Sequence, residues 1–533
     1  MEASVSERTG AAAGRRVKVS RLVAAFASAM AIAGCNAVGP DYLKPNAIVP
    51  VAYKEIKGWK LATPREDYPK GQWWRIYHDA ELNRLEETVA VSNQTVKQDE
   101  ANYRQALAMI AEARAGLFPT LSFDPAITRS SPPLTTQVQA QVSGSWTLDV
   151  WGRVRRQIEE NGAAAQVSKA DLDNLTLSEQ SMLALAYVQV READELHDLL
   201  LDTVKEYQRS LAITKNQYDA GTTAKSDVIT AEAQVLAAQA QAINTDVARK
   251  QNEHAIAVLM GKPPAELSVS HRHLPNSVPH PPIKLPSTLL ERRPDIAAAE
   301  RTMKEENAAI GVAVSAYYPD FTLSGAYGYI GDPFIRQIAG ANPAWSYALS
   351  IAQTLFDGGL TAAEVEAAKA AYESSVATYR QTVLTAFQQV EDQLAAILVY
   401  DRELKVEIET VKIAKQAVAI ALNEYRAGTQ NFTTVVTAEA TELVDEESLL
   451  STKASRLTAD VTLIVALGGG WDDSKLPQVA ADAPPDAAPP TPEGAPSGAN
   501  GWAGAHCRRG LQTAVARRSR LSPQRFALST TAV

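Results

Sequence analysis

The sequence YDAGT at residues 218–222 returns as YRAGT at residues 425–429, 207 residues further along the chain. The same displacement carries Gly152 onto Gly359 and Gly261 onto Gly468. About 110 residues therefore repeat in one register, which is too long a match for a chance motif. We predict that the chain contains a tandem duplication and that its direction reverses at each of these turns.

In both copies an apolar or aromatic residue recurs, with one exception, every seven positions before the turn. A period of 3.5 residues per turn keeps one side of a helix against a supercoiled partner, as in coiled coils. The pattern predicts uninterrupted helices over residues 150–219 and 357–426, each roughly 105 Å long. The two series are Leu183, Val190, His197, Val204, Leu211, Tyr218 and Val390, Ile397, Leu404, Val411, Val418, Tyr425.

Gly221 and Gly428 occupy the position where a helix cap with positive φ is expected. Returning helices are predicted over residues 223–260 and 430–467, and each would span only about 57 Å. A single helix predicted over residues 80–116 would span about 56 Å and cover the other half of the first long helix.

Polar and apolar residues alternate between these helices, which predicts strands with one polar and one apolar face. Pro132 and Pro133 divide residues 119–147 into two strands, and the second copy repeats the pattern over residues 321–329 and 345–351. Four strands cannot close a barrel, and their unpaired edges would cost several kcal/mol per group in hydrocarbon. One chain is therefore insufficient for a membrane pore.

Charge and composition limit the class of protein. The formal net charge is −9, and because residues 1–34 carry +3 and residues 501–533 carry +6, the remaining 466 residues carry −18. Such an acidic body argues against nucleic acid as a partner. The sequence has no run of 18 apolar residues, which argues against a membrane-spanning helix.

The amino terminus has the features of an export signal. Four basic residues between positions 15 and 21 precede an apolar run over residues 22–33, followed by Gly34 and Cys35. Small residues before a cysteine are typical of lipoprotein signals, so we expect the mature chain to begin at a diacylglyceryl-Cys35 that also carries an N-acyl lipid. Each buried CH₂ of an acyl chain contributes about 0.8 kcal/mol to membrane attachment. The alternative is an ordinary signal peptide with an incidental cysteine.

Five further motifs carry a family resemblance: VGPDY (38–42), WW (73–74), ERRPD (291–295), LFDGG (355–359) and LGGGW (467–471). With Cys35, they resemble the outer-membrane efflux lipoproteins of the TolC and OprM type, also called the NodT family. The resemblance implies a mainly α fold with a small β part. Two tandem repeats of long antiparallel coiled-coil helices would form an α-barrel, and four strands per chain would contribute to a trimeric, twelve-stranded transmembrane β-barrel.

The chain divides into six predicted segments. Composition after residue 471 is rich in Ala, Pro and Asp and then basic, which predicts disorder. The segments are a lipoprotein signal peptide (1–34), a lipid-anchored extended segment (35–79), the first repeat (80–261), a proline-rich linker (262–286), the second repeat (287–471) and a disordered tail (472–533).

The resemblance also implies a function, which is that of the exit duct of a tripartite efflux pump in the outer membrane. The expected partners are two further copies of the chain, a periplasmic adaptor protein, an inner-membrane pump of the resistance-nodulation-division type, and outer-membrane lipid. The adaptor would dock at the helical tips, formed by Tyr218, Gly221, Thr222, Tyr425, Gly428 and Thr429.

By the same resemblance, a periplasmic gate would lie just after the second turn, at Thr433, Thr437 and Glu439. Many relatives carry a bulky apolar residue and then an acid at the positions of Thr433 and Thr437, and this chain has threonine at both. We therefore expect a narrow threonine constriction with less affinity for cations than an acidic ring would have.

Other functions receive less support from the sequence. The repeats contain no nucleophile motif, phosphate loop, paired catalytic carboxylates or zinc spacing, which favours a conduit over an enzyme. Linker residues His271, His273 and His280 could suggest a metal site, but no Cys or acid completes the set, and His197 is predicted to be a packed residue of the helix seam. The main alternative is a lipid-anchored periplasmic coiled-coil scaffold without a pore, which would not need the alternating strands.

Overall fold

The computed structural model describes residues 37–46, 49–50, 52–55, 71–275, 291–331, 344–471 and 473–477. The signal peptide, Cys35, His280, Cys507 and nearly all of the predicted tail lie outside the described residues. The described ranges contain seven α-helices and four strands, with these bounds: α1 (Ala80–Ser92), α2 (Gln94–Ala115), β1 (Thr120–Ser130), β2 (Thr135–Leu148), α3 (Arg153–Asp219), α4 (Lys225–Leu259), α5 (Pro294–Ser315), β3 (Asp320–Gly331), β4 (Ala344–Ala352), α6 (Leu360–Arg426) and α7 (Phe432–Ala466).

The duplication is confirmed in the helix bounds. Helices α3 and α6 each have 67 residues, and α4 and α7 each have 35. Both ends of α6 and of α7 lie 207 positions after those of α3 and α4. At 1.5 Å per residue the long helices span about 100 Å and the returning helices about 53 Å. The predicted mainly α fold with a small β part is therefore correct.

The seven-residue seam is the core of each helix pair. Leu183 and Val190 in the first repeat, and Val390 and Ile397 in the second, are completely buried. Burial of a Leu, Ile or Val side chain contributes about 1.5–3 kcal/mol. His197 belongs to the same seam: its Nδ1 lies 3.0 Å from both the Ala242 carbonyl oxygen and the Thr245 hydroxyl of α4. It is a packed histidine, as predicted.

The single helix predicted over residues 80–116 is wrong, because the chain breaks at Asn93. The Asn93 backbone is extended, with φ −60° and ψ 131°, and its Oδ1 accepts hydrogen bonds from the backbone N–H groups of Thr95 and Val96. Its Nδ2 donates to Glu179 of α3 at 2.7 Å and to the Leu259 carbonyl at 2.9 Å. A short amide side chain that competes with the helix backbone ends α1 and caps α2. Helices α2 and α4 therefore meet at Asn93 along α3.

The four strands form one antiparallel sheet in the order β1-β2-β3-β4. Its register places Phe123 opposite Val142, Val142 opposite Tyr327, and Tyr327 opposite Trp345. The strands β3 and β4 extend the predicted segments by one or two residues at each end. Because directly paired residues share a face, the predicted alternation becomes one apolar and one polar face.

Residues 37–46 and 52–55 form an N-terminal strap along the helices. Buried Arg156 of α3 donates to the carbonyl oxygens of Val38 and Gly39 at 3.1 and 3.3 Å and pairs with Asp41 at 2.9 Å. Further along, both carboxylate oxygens of Glu391 in α6 accept backbone N–H groups of Lys54 and Glu55. The strap therefore contacts both repeats.

Candidate functional site at the two turns and the adjoining helix α7

The two turns have the same backbone geometry. Gly221 and Gly428 have φ values of +76° and +74°, a region that favours glycine. The Gly221 N–H donates to the Tyr218 carbonyl and the Thr222 N–H to the Gln217 carbonyl, each at 2.9 Å. The second turn has the same two bonds one repeat later. This pair of bonds defines a Schellman cap, and it satisfies carbonyl groups that the helix end would leave free.

The threonine after each glycine adds a side-chain hydrogen bond to the turn. The Thr222 hydroxyl donates to the Gln217 carbonyl at 2.9 Å, and the Thr429 hydroxyl donates to the Glu424 carbonyl at 3.0 Å. A Cβ atom added to either glycine would have no neighbouring atom within 4 Å. The turns therefore combine a fixed backbone with open space around it, which suits close approach by another molecule.

The two tyrosines of the repeated motif have different surroundings. Tyr218 is 43% exposed, whereas Tyr425 is 4% exposed and its ring centroid lies 5.2 Å from that of Phe432. The residue equivalent to Phe432 in the first repeat is Lys225, which offers no aromatic partner. Of the two tyrosines, Tyr218 presents a side chain at the surface and Tyr425 packs in the core.

The turns lie side by side at one end of the helices. The Gln217 side-chain amide donates to the Tyr425 carbonyl at 3.2 Å, and the Tyr425 hydroxyl donates to the Thr223 hydroxyl at 3.4 Å. The six predicted tip residues therefore belong to one region of the chain.

The predicted gate residues divide between two faces of α7. Thr433 and Thr437 are exposed, and the hydroxyls of Thr437 and Thr441 donate to the carbonyls four residues earlier, at 2.9 Å each. Residues four apart share a helix face, so the three threonines form one stripe. Glu439 does not share it, because its side chain is 4% exposed and accepts a hydrogen bond from the Ser210 hydroxyl of α3.

Sequence reasoning missed Ser210 as a member of this region, and although it noted Glu442 close behind Thr437, it did not predict that this acid is buried. Glu442 of α7 is buried, and the equivalent residue in the first repeat is Val235. The available signal was that one copy has an acid where the other copy has an apolar valine. Among the described residues no group of His, Cys, Asp and Glu side chains has an arrangement suited to a metal ion. Within those same residues no helix is both long and apolar enough to cross a membrane.

Comparison with known proteins identifies the family. The family described as outer membrane efflux protein matches residues 86–262 and 285–469, which is more than half of the chain. The chain belongs to the outer membrane efflux protein family. This efflux protein is accordingly located in the outer membrane and serves as an exit duct, and membership supports the duct over the pore-free scaffold. Members of the family are transport channels rather than enzymes.

Individual relatives agree with this assignment. The efflux protein is 28% identical to the toluene efflux pump outer membrane protein TtgC of Pseudomonas putida, over 84% of this chain and 96% of TtgC. It is 26% identical to nodulation protein T of Rhizobium leguminosarum bv. trifolii, over 83% and 96% of the two chains. The outer-membrane channel OprN superimposes with a TM-score of 0.76 at 30% identity, over 81% of this chain and 99% of OprN. The Campylobacter jejuni channel CmeC, at 19% identity and a TM-score of 0.75, shares the fold over 83% of this chain and 96% of CmeC.

Proposed function

We propose that three copies of this efflux protein form one passive duct that carries small molecules from the periplasm to the exterior, as the outer-membrane part of a tripartite pump. The observation that carries the proposal is the two-faced sheet at the strand end of the 100 Å helices. Its strands have 9 to 14 residues, and a tilted membrane strand needs about 9–11. Three such sheets provide twelve strands, an even number within the range of membrane barrels.

The two faces suit lipid on one side and water on the other. The apolar face includes aromatic side chains, which membrane barrels place at the interfaces. On the polar face Asp124 accepts hydrogen bonds from the Ser122 and Ser143 hydroxyls at 2.9 Å. The apolar face carries Leu121, Phe123, Ile127, Val142, Trp146, Leu323, Tyr327, Trp345, Tyr347, Leu349 and Ile351, and the polar face carries Thr120, Ser122, Asp124, Gln137, Gln139, Gln141, Ser143, Thr322, Ser324 and Ser350.

Exposed apolar stripes on the helices support assembly with further copies. Within one chain α7 packs on α3, and Leu450 of α7 is 5% exposed in a cluster with Val188. The residue equivalent to Leu450 is Ile243 of α4, which is 72% exposed. Helix α4 is the equivalent of α7, and α6 is the equivalent of α3. We therefore expect α4 of one copy to pack on α6 of the next copy in the way that α7 packs on α3 within one chain. Exposed at seven-residue spacing are Ile229, Leu236 and Ile243 on α4, and Val399, Val406, Ile413 and Ile420 on α6.

The remaining partners follow from the position of the duct. TtgC is named as the outer membrane protein of a toluene efflux pump. We infer that this chain likewise works with an inner-membrane pump of the resistance-nodulation-division type and with a periplasmic adaptor. The adaptor would contact the open backbone at Gly221 and Gly428 together with Tyr218, Thr222 and Thr429. A lipid on Cys35 would anchor the strap in the periplasmic leaflet of the outer membrane.

The docking role of the turns is tested by Gly221→Trp combined with Gly428→Trp. Both sites have open space but positive φ, so the indoles would block an approaching helix and strain only the turns. Heat-sensitive trimers should persist in membrane extracts while export by cells that carry the full pump is lost. Unchanged export would overturn the docking role.

The gate belongs to the same proposal, with the threonine stripe of α7 facing the narrow end of the duct. Thr437→Asp should make single-channel currents more sensitive to divalent cations, because three carboxylates would then ring the passage. The matched control is Thr230→Asp, the exposed equivalent of Thr437 on α4, which should leave the sensitivity to divalent cations as in the wild type. No change in Thr437→Asp would mean that this face does not line the duct.

The duct itself is tested with the acylated full-length chain extracted in detergent. It should migrate as a heat-sensitive trimer and conduct ions in planar lipid bilayers. A protein that attaches to membranes through its lipid but never conducts would instead support the periplasmic scaffold.

A further inference from the structure

A group of three carboxyl side chains, two of them buried and one at the exposed edge of α3, joins the two repeats near the turns. We call Glu206 of α3 with Glu439 and Glu442 of α7 the carboxyl cluster. The Ser210 hydroxyl of α3 donates to Oε1 of Glu439, so a hydrogen bond crosses from the first repeat to the second. Within the described part of the chain, Oε2 of Glu439 is buried and has no hydrogen-bond partner. A buried carboxylate oxygen without a donor is costly if charged and acceptable if it holds a proton.

The same helix position in the first repeat has none of these properties. Glu232, which is equivalent to Glu439, is exposed on α4, and Glu442 is replaced by Val235. Ser210 is replaced on α6 by Ala417, whose side chain has no hydrogen-bond donor. The duplication therefore does not require buried acids here, and Glu439 and Glu442 are buried together only in the copy that packs on α3.

The charges that face the cluster come from three helices. Burial is the main cause that raises the pKa of Glu439 to about 7, and the charges of Glu206 and Glu442 add to it, whereas the Ser210 hydrogen bond acts in the opposite direction. Burial likewise raises the pKa of Glu442 to about 7, helped by Glu206 and Glu446 and opposed by Lys415. The other charged or titratable neighbours are Asp202, Tyr207 and Arg209 on α3 and Glu447 on α7.

Lys415 does not neutralise the cluster. This α6 side chain is paired with Glu446 at 2.6 Å and is itself more than half exposed. Acids therefore outnumber the available cations between α3 and α7. When the carboxyl cluster ionises, the burial of Glu439 and Glu442 becomes unfavourable and Glu206 of α3 repels both of them, so separation of the two helices is favoured.

We propose that protonation of the carboxyl cluster latches α7 to α3 and that its ionisation releases α7 at the end of the duct that carries the turns. The inference rests on the proposed function, because α7 also carries the threonine stripe of the gate. A proton from the periplasmic solvent binds Oε2 of Glu439 and returns to solvent on release, so no other reactant is needed. The duct would then open more readily at neutral or alkaline pH than in acid.

The direction of the pH dependence follows from the pKa of the carboxyl groups in the latched and released states. A released carboxyl group in water titrates near 4.5, whereas burial raises the pKa of the latched Glu439 to about 7. A raised pKa in the latched state means that the latch is fully held below about pH 4.5 and is lost as pH rises through about 7. Each carboxyl group shifts the released-to-latched ratio by about tenfold per pH unit within that window, and above it the ratio levels off.

The test compares backbone hydrogen–deuterium exchange of residues 432–445 in the assembled full-length protein with that in the double variant Glu439→Gln/Glu442→Gln at each pH. The amides keep the shape of the side chains but cannot ionise. Between about pH 5 and 7 the wild-type protein should lose protection by at least about tenfold per pH unit relative to the variant. The control Glu232→Gln, which changes the exposed counterpart, should follow the wild type.

Single-channel recording over the same pH range separates this inference from the proposed function. Open probability should rise with pH in the wild type and stay constant in the double variant. A ratio of wild-type to variant protection that stays constant with pH would overturn the latch even if the channel conducts. A ratio of wild-type to variant protection that falls as pH rises, in a protein without conductance, would overturn the duct and leave the latch standing. If the double variant fails to assemble, the single variant Glu442→Val can replace it, because valine is the residue at this position in the first repeat. It should halve the slope of the logarithm of protection against pH.

Discussion

The long and returning helices have identical lengths in the two repeats but unlike neighbours. The long helix of the first repeat, α3, is covered by α2, α4, α5 and α7, whereas exposed apolar residues line α6 at seven-residue spacing. The difference arises because α7 of the second repeat packs back on the first, and within the described part of one chain nothing equivalent packs on the second. The chain therefore completes one inter-repeat contact internally and leaves the equivalent apolar residues of α6 exposed.

The junctions between strands and helices differ in the same way. In the first repeat, Trp151 stacks on Tyr318 at 4.7 Å and donates to the Pro319 carbonyl at 2.9 Å, and the N-terminal strap pairs with the Trp151 carbonyl. In the second repeat, Leu355 and Phe356 at the equivalent junction are almost fully exposed. Aromatic stacking and hydrogen bonds therefore cover the junction of the first repeat, whereas the apolar side chains at the junction of the second repeat are exposed.

The largest expected effect comes from charging the open stripe on α4. Leu236→Arg combined with Ile243→Arg should abolish trimers, because assembly would bury unpaired cations at every subunit contact. Sedimentation of the detergent-extracted protein would detect the loss. Gln241→Arg, on an exposed position of the same helix away from the stripe, should leave trimers intact. Trimers that survive the double substitution would mean that α4 does not form the subunit contact.

An intermediate effect is expected when the equivalent tyrosines of the two turns, Tyr218 and Tyr425, are replaced by alanine. Tyr425→Ala should lower the free energy of unfolding by about 3–5 kcal/mol, because it leaves a cavity beside Phe432. Tyr218→Ala should change it by less than about 0.5 kcal/mol, since the side chain is exposed. Denaturant unfolding of the two variants in the same detergent measures the difference. Equal losses would contradict the difference in packing between the two turns.

The smallest effect is expected at the strap, which Arg156 of the first repeat holds through three hydrogen-bond partners. Arg156→Leu should cost roughly 1–3 kcal/mol, because the Val38 and Gly39 carbonyls and Asp41 lose their donor. Limited proteolysis within residues 37–46 should become faster. Arg153→Leu removes the same charge from an exposed position and should leave the cleavage rate unchanged. A strap that stays protected in Arg156→Leu would show that its other contacts suffice, among them the hydrogen bond that Nδ2 of Asn307 in α5 donates to the Pro40 carbonyl at 2.9 Å.

Prediction from the sequence succeeded where the deciding contacts are local or periodic. The seven-residue spacing and the turn glycines placed both long helices within about three residues of their ends. It failed at Asn93, where the surrounding small and apolar residues favour a continuous helix. The break is stabilised by Glu179 and the Leu259 carbonyl, which are distant in sequence. It also placed Glu439 with the exposed threonines of the gate, although the side chain faces Ser210 of the other repeat.

The sequence by itself determined the duplication, the helix and strand types and the two faces of the sheet, because each follows from a repeated spacing that the backbone converts directly into geometry. Only the tertiary structure decided which equivalent residues became unlike, such as Tyr218 and Tyr425 or Glu232 and Glu439. Burial depends on what packs against a side chain, and in the described part of this chain α7 packs on the first repeat without an equivalent contact from the first repeat onto α6.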